Sequence, residues 1–180
     1  MSIPTVRRPQ IEVMLQGDAL GELDAIAPVW DWEPWLTQWL EILDVSLSPI
    51  GCYELTLQIT TDEAIQTLNR DYRQQDRPTD VLAFAALETG MALPAELLAQ
   101  DALYLGDIVL SLETAQRQQV LHGHTLQEEI VWLVAHGFLH LLGWDHPDEP
   151  QLHHMWQQQQ LLLSPLGFGL TASAYVQEAG

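Results

Sequence analysis

Apolar and polar side chains alternate over Ile11–Leu15 and again over Tyr53–Ile59, where Tyr, Leu, Leu and Ile are separated by Glu, Thr and Gln. A period of two predicts strands with one wet face. Val81–Ala85 is a compact apolar run and Leu103–Leu110 a longer one, interrupted by Gly106 and Asp107; both read as strands. Helical spacing takes over at Trp35–Leu43, where Trp35, Leu36, Trp39, Leu40 and Leu43 share one face. Thr60-Thr-Asp-Glu63 has the form of a capping box and opens a helix through Ala64, Ile65, Leu68 and Tyr72. Ser111–Leu121 reads as a helix ended near Gly123. A second capping box, Thr125-Leu-Gln-Glu128, starts a helix through Ile130, Val131, Leu133, Val134, Phe138 and Leu141 that stops at Gly143. That helix is apolar nearly all round, which predicts the buried centre of the domain. A last helix spans Glu149–Leu163, with Gln157–Gln160 on or near its wet side. Gln16–Pro34 reads as an irregular acidic connector and Glu88–Asp101 as a loop containing Gly90 and Pro94. Strands and helices interleave without strict alternation. The expected fold is therefore α+β: one domain over residues 1–180, with a small mixed sheet packed by helices around the central helix.

Composition narrows this picture. With 180 residues, 47% of them hydrophobic, the chain has enough apolar surface for one packed core. No apolar run reaches eighteen residues, so no membrane span is expected. Met1–Pro9 pairs two arginines with a proline and lacks a signal-peptide apolar block, which predicts a cytoplasmic protein. Cys52 is the only cysteine, so an intrachain disulfide and a cysteine-based zinc site are both excluded. The net charge is −19, from six Lys+Arg against 25 Asp+Glu. Taken alone, that opposes nucleic-acid binding, which rests on basic groups meeting phosphates. The distribution softens the objection. Arg70, Arg73 and Arg77 fall close together, and Gln66–Asp80 balances them with Asp71, Asp76 and Asp80.

The chemistry is concentrated in His136-Gly-Phe-Leu-His140-Leu-Leu-Gly143-Trp-Asp-His146. His136 and His140 stand one helical turn apart on a single face, the separation at which two imidazoles reach one ion at about 2.0–2.1 Å. Gly143 can take positive φ and turn the chain, delivering His146 as a third ligand. Three neutral imidazoles without a fourth protein ligand leave a coordination position for water, as in catalytic zinc sites. A single histidine on an apolar helix is usually a hydrogen-bonded core residue, but burying three unpaired rings there would be costly. The spacing equals that of the metzincin proteases, whose general-base glutamate follows the first histidine. Here that position is Gly137, which cannot take a proton.

With glycine at that position, the eleven-residue stretch resembles the signature of the YbeY endoribonuclease family, with Trp144 in place of the usual tyrosine. Leu68-Asn-Arg-Asp-Tyr-Arg-Gln-Gln-Asp-Arg-Pro-Thr-Asp-Val-Leu-Ala-Phe84 and Leu105-Gly-Asp-Ile-Val-Leu-Ser111 are similar to two further family motifs, in the same order. The resemblance covers residues 53–163. It implies one α+β domain, a zinc ion on His136, His140 and His146, and single-strand-specific endoribonuclease activity. It further implies maturation of ribosomal RNA, including the 3′ end of the small-subunit RNA, ribosome quality control, and a ribosomal partner that would bring an acidic protein to RNA. The family's conserved arginine falls on Arg73, where a guanidinium can hold phosphate by two hydrogen bonds. Arg70 and Arg77 are candidates for steering phosphates, or plain surface arginines. Asp107 either orients a ligand histidine or bonds to backbone. Thr79 and Asp80 line the cleft or form a turn, and Asp145 either supports a ligand histidine or, the favoured reading, forms a turn. Ala83 and Ala85 replace the family's usual serine and proline. His122, His124, His153 and His154 are expected at the surface, and Trp30, Trp32, Trp35 and Trp39 in the core or an interface. Two rival readings are a metzincin-like metallopeptidase and a non-enzymatic ribosome assembly factor with a structural metal.

Overall fold

The computed structural model describes residues 8–26, 30–90 and 93–170. Strands β1 (Gln10–Gln16), β2 (Cys52–Thr60), β3 (Val81–Ala85) and β4 (Leu103–Ser111) form one sheet in the order β1-β2-β4-β3. β1 runs parallel to β2 and β2 to β4, whereas β3 is antiparallel to β4 and lies at an edge. Helices α1 (Leu20–Ile26), α2 (Trp32–Ile42), α3 (Asp62–Arg73), α4 (Ala95–Leu98), α5 (Leu112–His122), α6 (Leu126–Leu141) and α7 (Glu149–Leu163) complete the expected α+β fold.

The alternation of β4 divides its side chains between two cores. Val109 packs with Ile65 of α3 and Leu82 of β3 in a small cluster. Ile108 and Leu110 join the main core with Trp39, Phe138 and Leu139. As its composition requires, α6 is the centre, packed against β3, β4, α5 and α7. It approaches β4 so closely at Gly137 that a Cβ there would lie 2.9 Å from Ile108 Cγ2. Both halves of its capping box form: Thr125 Oγ1 accepts from Glu128 N at 3.2 Å, and Glu128 Oε2 accepts from Thr125 N at 2.8 Å.

Several local expectations are corrected. The connector before Pro34 contains α1, a short acidic helix whose Leu23 enters the core; a single buried residue among those described leaves no period to read. Residues 27–29 of that connector lie outside the described residues. α2 begins at Trp32, ahead of Pro34, because a first-turn proline has no intrahelical N–H bond to lose. The loop expected at Glu88–Asp101 holds the end of a 3₁₀ turn (Ala86–Thr89) and the single turn of α4; residues 91 and 92 are not described. α3 is capped by Thr61, whose side chain accepts from Ala64 N at 3.3 Å. Thr60 stays in β2 opposite Ser111, so strand pairing decides which of two adjacent threonines is the cap. The tryptophans pack as expected: Trp32 and Trp39 are buried, Trp30 stacks on Trp32 at 5.2 Å, and Trp39 meets Phe138 at 5.7 Å. No helix among the described residues is long and apolar enough to cross a membrane. The reading of Met1–Pro9 falls mostly on residues 1–7, outside the described ones.

Candidate metal centre and its cleft

The histidines converge. Ring centroids of His136 and His140 are 4.7 Å apart, those of His136 and His146 5.2 Å, and those of His140 and His146 5.1 Å. One nitrogen from each ring lies within 4.8 Å of the other two, a separation that one ion can bridge. The first two rings owe this to adjacent turns of α6. The third depends on Gly143, whose φ of 95° turns the chain while its N–H bonds to His140 O at 3.0 Å. Asp145 Oδ1 then accepts from His146 N at 2.8 Å, the turn-forming role expected of it.

The orientation of His136 is set by a residue that sequence reading placed near solvent. Gln159 of α7 is fully buried, and its Nε2 donates to Trp132 O at 3.2 Å. That bond turns Oε1 toward His136 Nδ1, 2.9 Å away. An amide oxygen only accepts, so the hydrogen of neutral His136 sits on Nδ1 and its lone pair on Nε2. Nε2 is also the atom that lies 3.1 Å from His140 Nε2. Burial lowers the His136 pKa to about 4, an effect the Gln159 hydrogen bond opposes and the neighbouring rings reinforce. Burial and His146 lower His140 as well. Two rings of the donor set, His136 and His140, are therefore held in the neutral form that binds a metal. The chemistry of the set suits zinc.

A cleft of about 830 Å³ opens over the three rings. Arg73, at the end of α3, lines it and donates from Nη2 to Ala83 O at 2.9 Å, with the guanidinium 5.7 Å from the Phe84 ring centroid. Arg8 pairs with Glu41, Arg70 with Asp71 and Arg117 with Asp62. Among the described residues, Arg73 and Arg77 are the arginines with no carboxylate within 4.0 Å, and only Arg73 reaches the cleft. Arg70 and Arg77 are exposed and do not line the cleft; Arg77 is bonded to Gln75 Oε1 at 3.0 and 3.2 Å. Thr79 and Asp80 both line the cleft and shape the entry to β3. Burial pushes the Asp80 carboxyl above its ordinary range, against the pull of the Val81, Gln118 and Thr79 donors. Asp107 bonds to no histidine ring among the described residues; its Oδ1 accepts from Tyr104 Oη at 2.9 Å. The place imagined for it beside a ligand ring belongs to Gln159. Ala83 acts through its backbone oxygen, so the missing serine hydroxyl does not affect the contact with Arg73.

His122 and His124 are not at the surface. Both bond to Glu129 Oε2, His122 through Nδ1 at 2.8 Å and His124 through Nε2. Glu129 is fully buried near the start of α6, and the three form a second group able to hold an ion. Burial of a carboxylate at a helix N-terminus against two imidazoles satisfies groups that are far costlier apart. The hint in the sequence was Glu129 on an otherwise apolar helix face. His153 and His154 are exposed, as expected.

Together these features define a class: an α+β chain whose central helix presents three imidazoles, with one arginine across the cleft, the donor set of a metal-dependent hydrolase. Residues 24–167 match the family described as Endoribonuclease YbeY. Proteins of that name from a Nostoc species (51% identical over 155 residues, 86% of this chain and 84% of that protein) and a Synechocystis species (48% over 172 residues, 93% and 96%) are similar along most of their length. One from a Picosynechococcus species is 55% identical over 147 residues, 82% of this chain and 86% of that one. The solution structure of TM1509 from Thermotoga maritima is 21% identical, with a TM-score of 0.48 over 86% of this chain and 91% of that one. The chain belongs to the endoribonuclease YbeY family.

Proposed function

We propose that this protein is a zinc-dependent, single-strand-specific endoribonuclease of the cytoplasm. Its role would be ribosomal RNA maturation, including the small-subunit 3′ end, and ribosome quality control. The carrying observation is the convergence of His136, His140 and His146 in a cleft shared with Arg73, in a chain of this family. When bound, zinc supplies Lewis acidity toward a phosphodiester oxygen and acidifies water. His136 offers Nε2 because Gln159 holds its proton on Nδ1. Arg73, braced by Ala83 O and Phe84, has donors to spare for a phosphate and for the charge that grows during cleavage. The cleft's own ionised groups include Arg73 but also Glu88 and Asp145, so the protein alone supplies little attraction for RNA. A bound divalent ion and a ribosomal partner would make up the difference. The nucleophile is water or the RNA's 2′-hydroxyl; a substrate with 2′-deoxyribose at the cleavage position is cut only in the first case.

The peptidase reading loses ground. Its glutamate would stand at Gly137, where even a Cβ meets Ile108. The decisive experiment combines metal analysis with cleavage of single-stranded RNA by wild type, His140→Ala and Arg73→Ala. The expected outcome is loss of metal and cleavage in the first variant, and retained metal with little cleavage in the second. Unchanged cleavage in both would end the proposal. A folded His140→Ala protein that still associates with ribosomes without cutting RNA separates the enzyme from a mere assembly factor.

A further inference from the structure

Ile65, Leu68 and Tyr72 form an apolar stripe on α3, and the sheet covers it only in part. Ile65 is fully buried, and Leu68 packs against the same small cluster together with Phe84 of β3. Tyr72, one turn further on, is 67% exposed. Its ring meets that of Phe84 at 5.3 Å between centroids, with 70° between the planes. A perpendicular contact covers at most one face of a ring, so a face of Tyr72 is open to solvent. Phe84 also supports the Arg73 guanidinium, 5.7 Å from its centroid, and Arg73 lines the metal cleft. An accessible aromatic face therefore stands beside the cleft's arginine, on consecutive residues of the last turn of α3. The segment is held in place. Gln74, with φ of 58°, ends the helix, and Gln75 N donates to Asn69 O at 3.2 Å. The buried Asn69 donates in turn from Nδ2 to Arg77 O at 2.8 Å. Over Gln66–Asp80 the arginines balance the aspartates, so in a chain of net charge −19 this flank does not repel a polyanion.

We infer that the open face of Tyr72 stacks an unpaired base of the RNA, next to the phosphate that Arg73 holds in the cleft. The inference rests on the endoribonuclease reading. Arginine and metal contacts to phosphate carry no information about the bases. A stacking ring does, in one respect: it takes only a base with a free face, which a single strand offers and a duplex does not. Tyr72 thereby favours single strands at the flank of the cleavage position. It does so whatever the base, because every base has a π-face.

The test compares metal-loaded wild type with Tyr72→Leu, which keeps apolar bulk on Phe84, and with Tyr72→Phe, which keeps the ring. The side chain is exposed, so both variants should match wild type in melting temperature and metal content. On a short single-stranded RNA, Tyr72→Leu should lose about tenfold in kcat/KM, mainly through KM, while Tyr72→Phe stays near wild type. Binding of the same RNA to chelator-treated protein, read by fluorescence anisotropy, should weaken by a similar factor in Tyr72→Leu alone. A duplex of the same sequence should bind all three proteins alike. A second arm places one abasic nucleotide at successive positions flanking the cleavage site. At one position the missing base should cost wild type about tenfold and cost Tyr72→Leu nothing further. Equal cleavage and binding of free RNA by wild type and Tyr72→Leu overturns the inference and leaves the ring to a protein partner. So does an equal loss in Tyr72→Phe, which traces the effect to the hydroxyl, or a missing-base penalty that persists undiminished in Tyr72→Leu. Failure of wild type to cut RNA sinks the underlying reading as well, whereas cleavage with no role for Tyr72 sinks this inference alone.

Discussion

His136 Nδ1 and Gln159 Oε1 lie 2.9 Å apart across the interface of α6 and α7, and the same amide donates to Trp132 O at 3.2 Å. One side chain thus ties the last long helix to the central one and selects which nitrogen of a metal-ready ring carries its proton. Gln159→Leu keeps the volume and removes this selection. Metal affinity should fall about ten- to a hundredfold, the usual cost of losing such a partner. Loss of the Trp132 bond costs roughly 1 kcal/mol of stability. Competition with a chromophoric chelator, alongside a thermal melt, measures both. Undiminished affinity in a folded variant would contradict the role assigned to Gln159.

Gly137 makes a second prediction, with a sign opposite to intrinsic propensity. In an exposed helix, Gly→Ala gains about 1 kcal/mol. Here the new Cβ sits 2.9 Å from Ile108 Cγ2 in a fully buried contact, so Gly137→Ala should destabilise, by roughly 1–3 kcal/mol. Urea denaturation reads the difference, and a gain in midpoint would show that β4 yields easily. Gly137→Glu should unfold the protein rather than create a peptidase.

The pH dependence follows from His136. In the folded chain it protonates near 4, while its ordinary value is 6.5. Below pH 6.5 the unfolded chain takes up the proton first, so metal-free protein loses stability as pH falls from 6.5 to about 4. Above 6.5 both states are neutral and this group adds no slope. The loss attributable to His136 is on the order of 3 kcal/mol across the window. Denaturation midpoints of chelator-treated protein at several pH values check it; a flat profile below 6.5 would refute the assignment.

Arg73 should behave as a residue of the reaction rather than of the fold. It is exposed, makes one hydrogen bond to Ala83 O and has no carboxylate partner within 4.0 Å among the described residues. Arg73→Ala should lower kcat about a hundredfold or more, with metal content and melting temperature near wild type. Arg73→Lys, which keeps charge but cannot make two parallel bonds, should recover only part of the loss. Arg70→Ala and Arg77→Ala, outside the cleft, should change cleavage little.

The sequence by itself determined what short-range spacing can carry. Four-residue spacing set two rings on one face of α6, Gly143 announced the turn, and a capping box marked where the helix begins; each involves neighbours within a few residues. Alternation likewise revealed β1 and β2, and short apolar runs revealed β3 and β4. Tertiary packing decided the rest, since it distinguishes chemically identical candidates. Gln157–Gln160 are four like residues, and only the docking of α7 on α6 buries Gln159 against His136. Arg70, Arg73 and Arg77 are equally charged, and only the last turn of α3 beside β3 brings one of them to the cleft. Glu129 lies several residues from His122 and His124, yet burial makes them one unit. A hydrogen bond across two helices leaves no period in the chain, because its partners are neighbours in space alone.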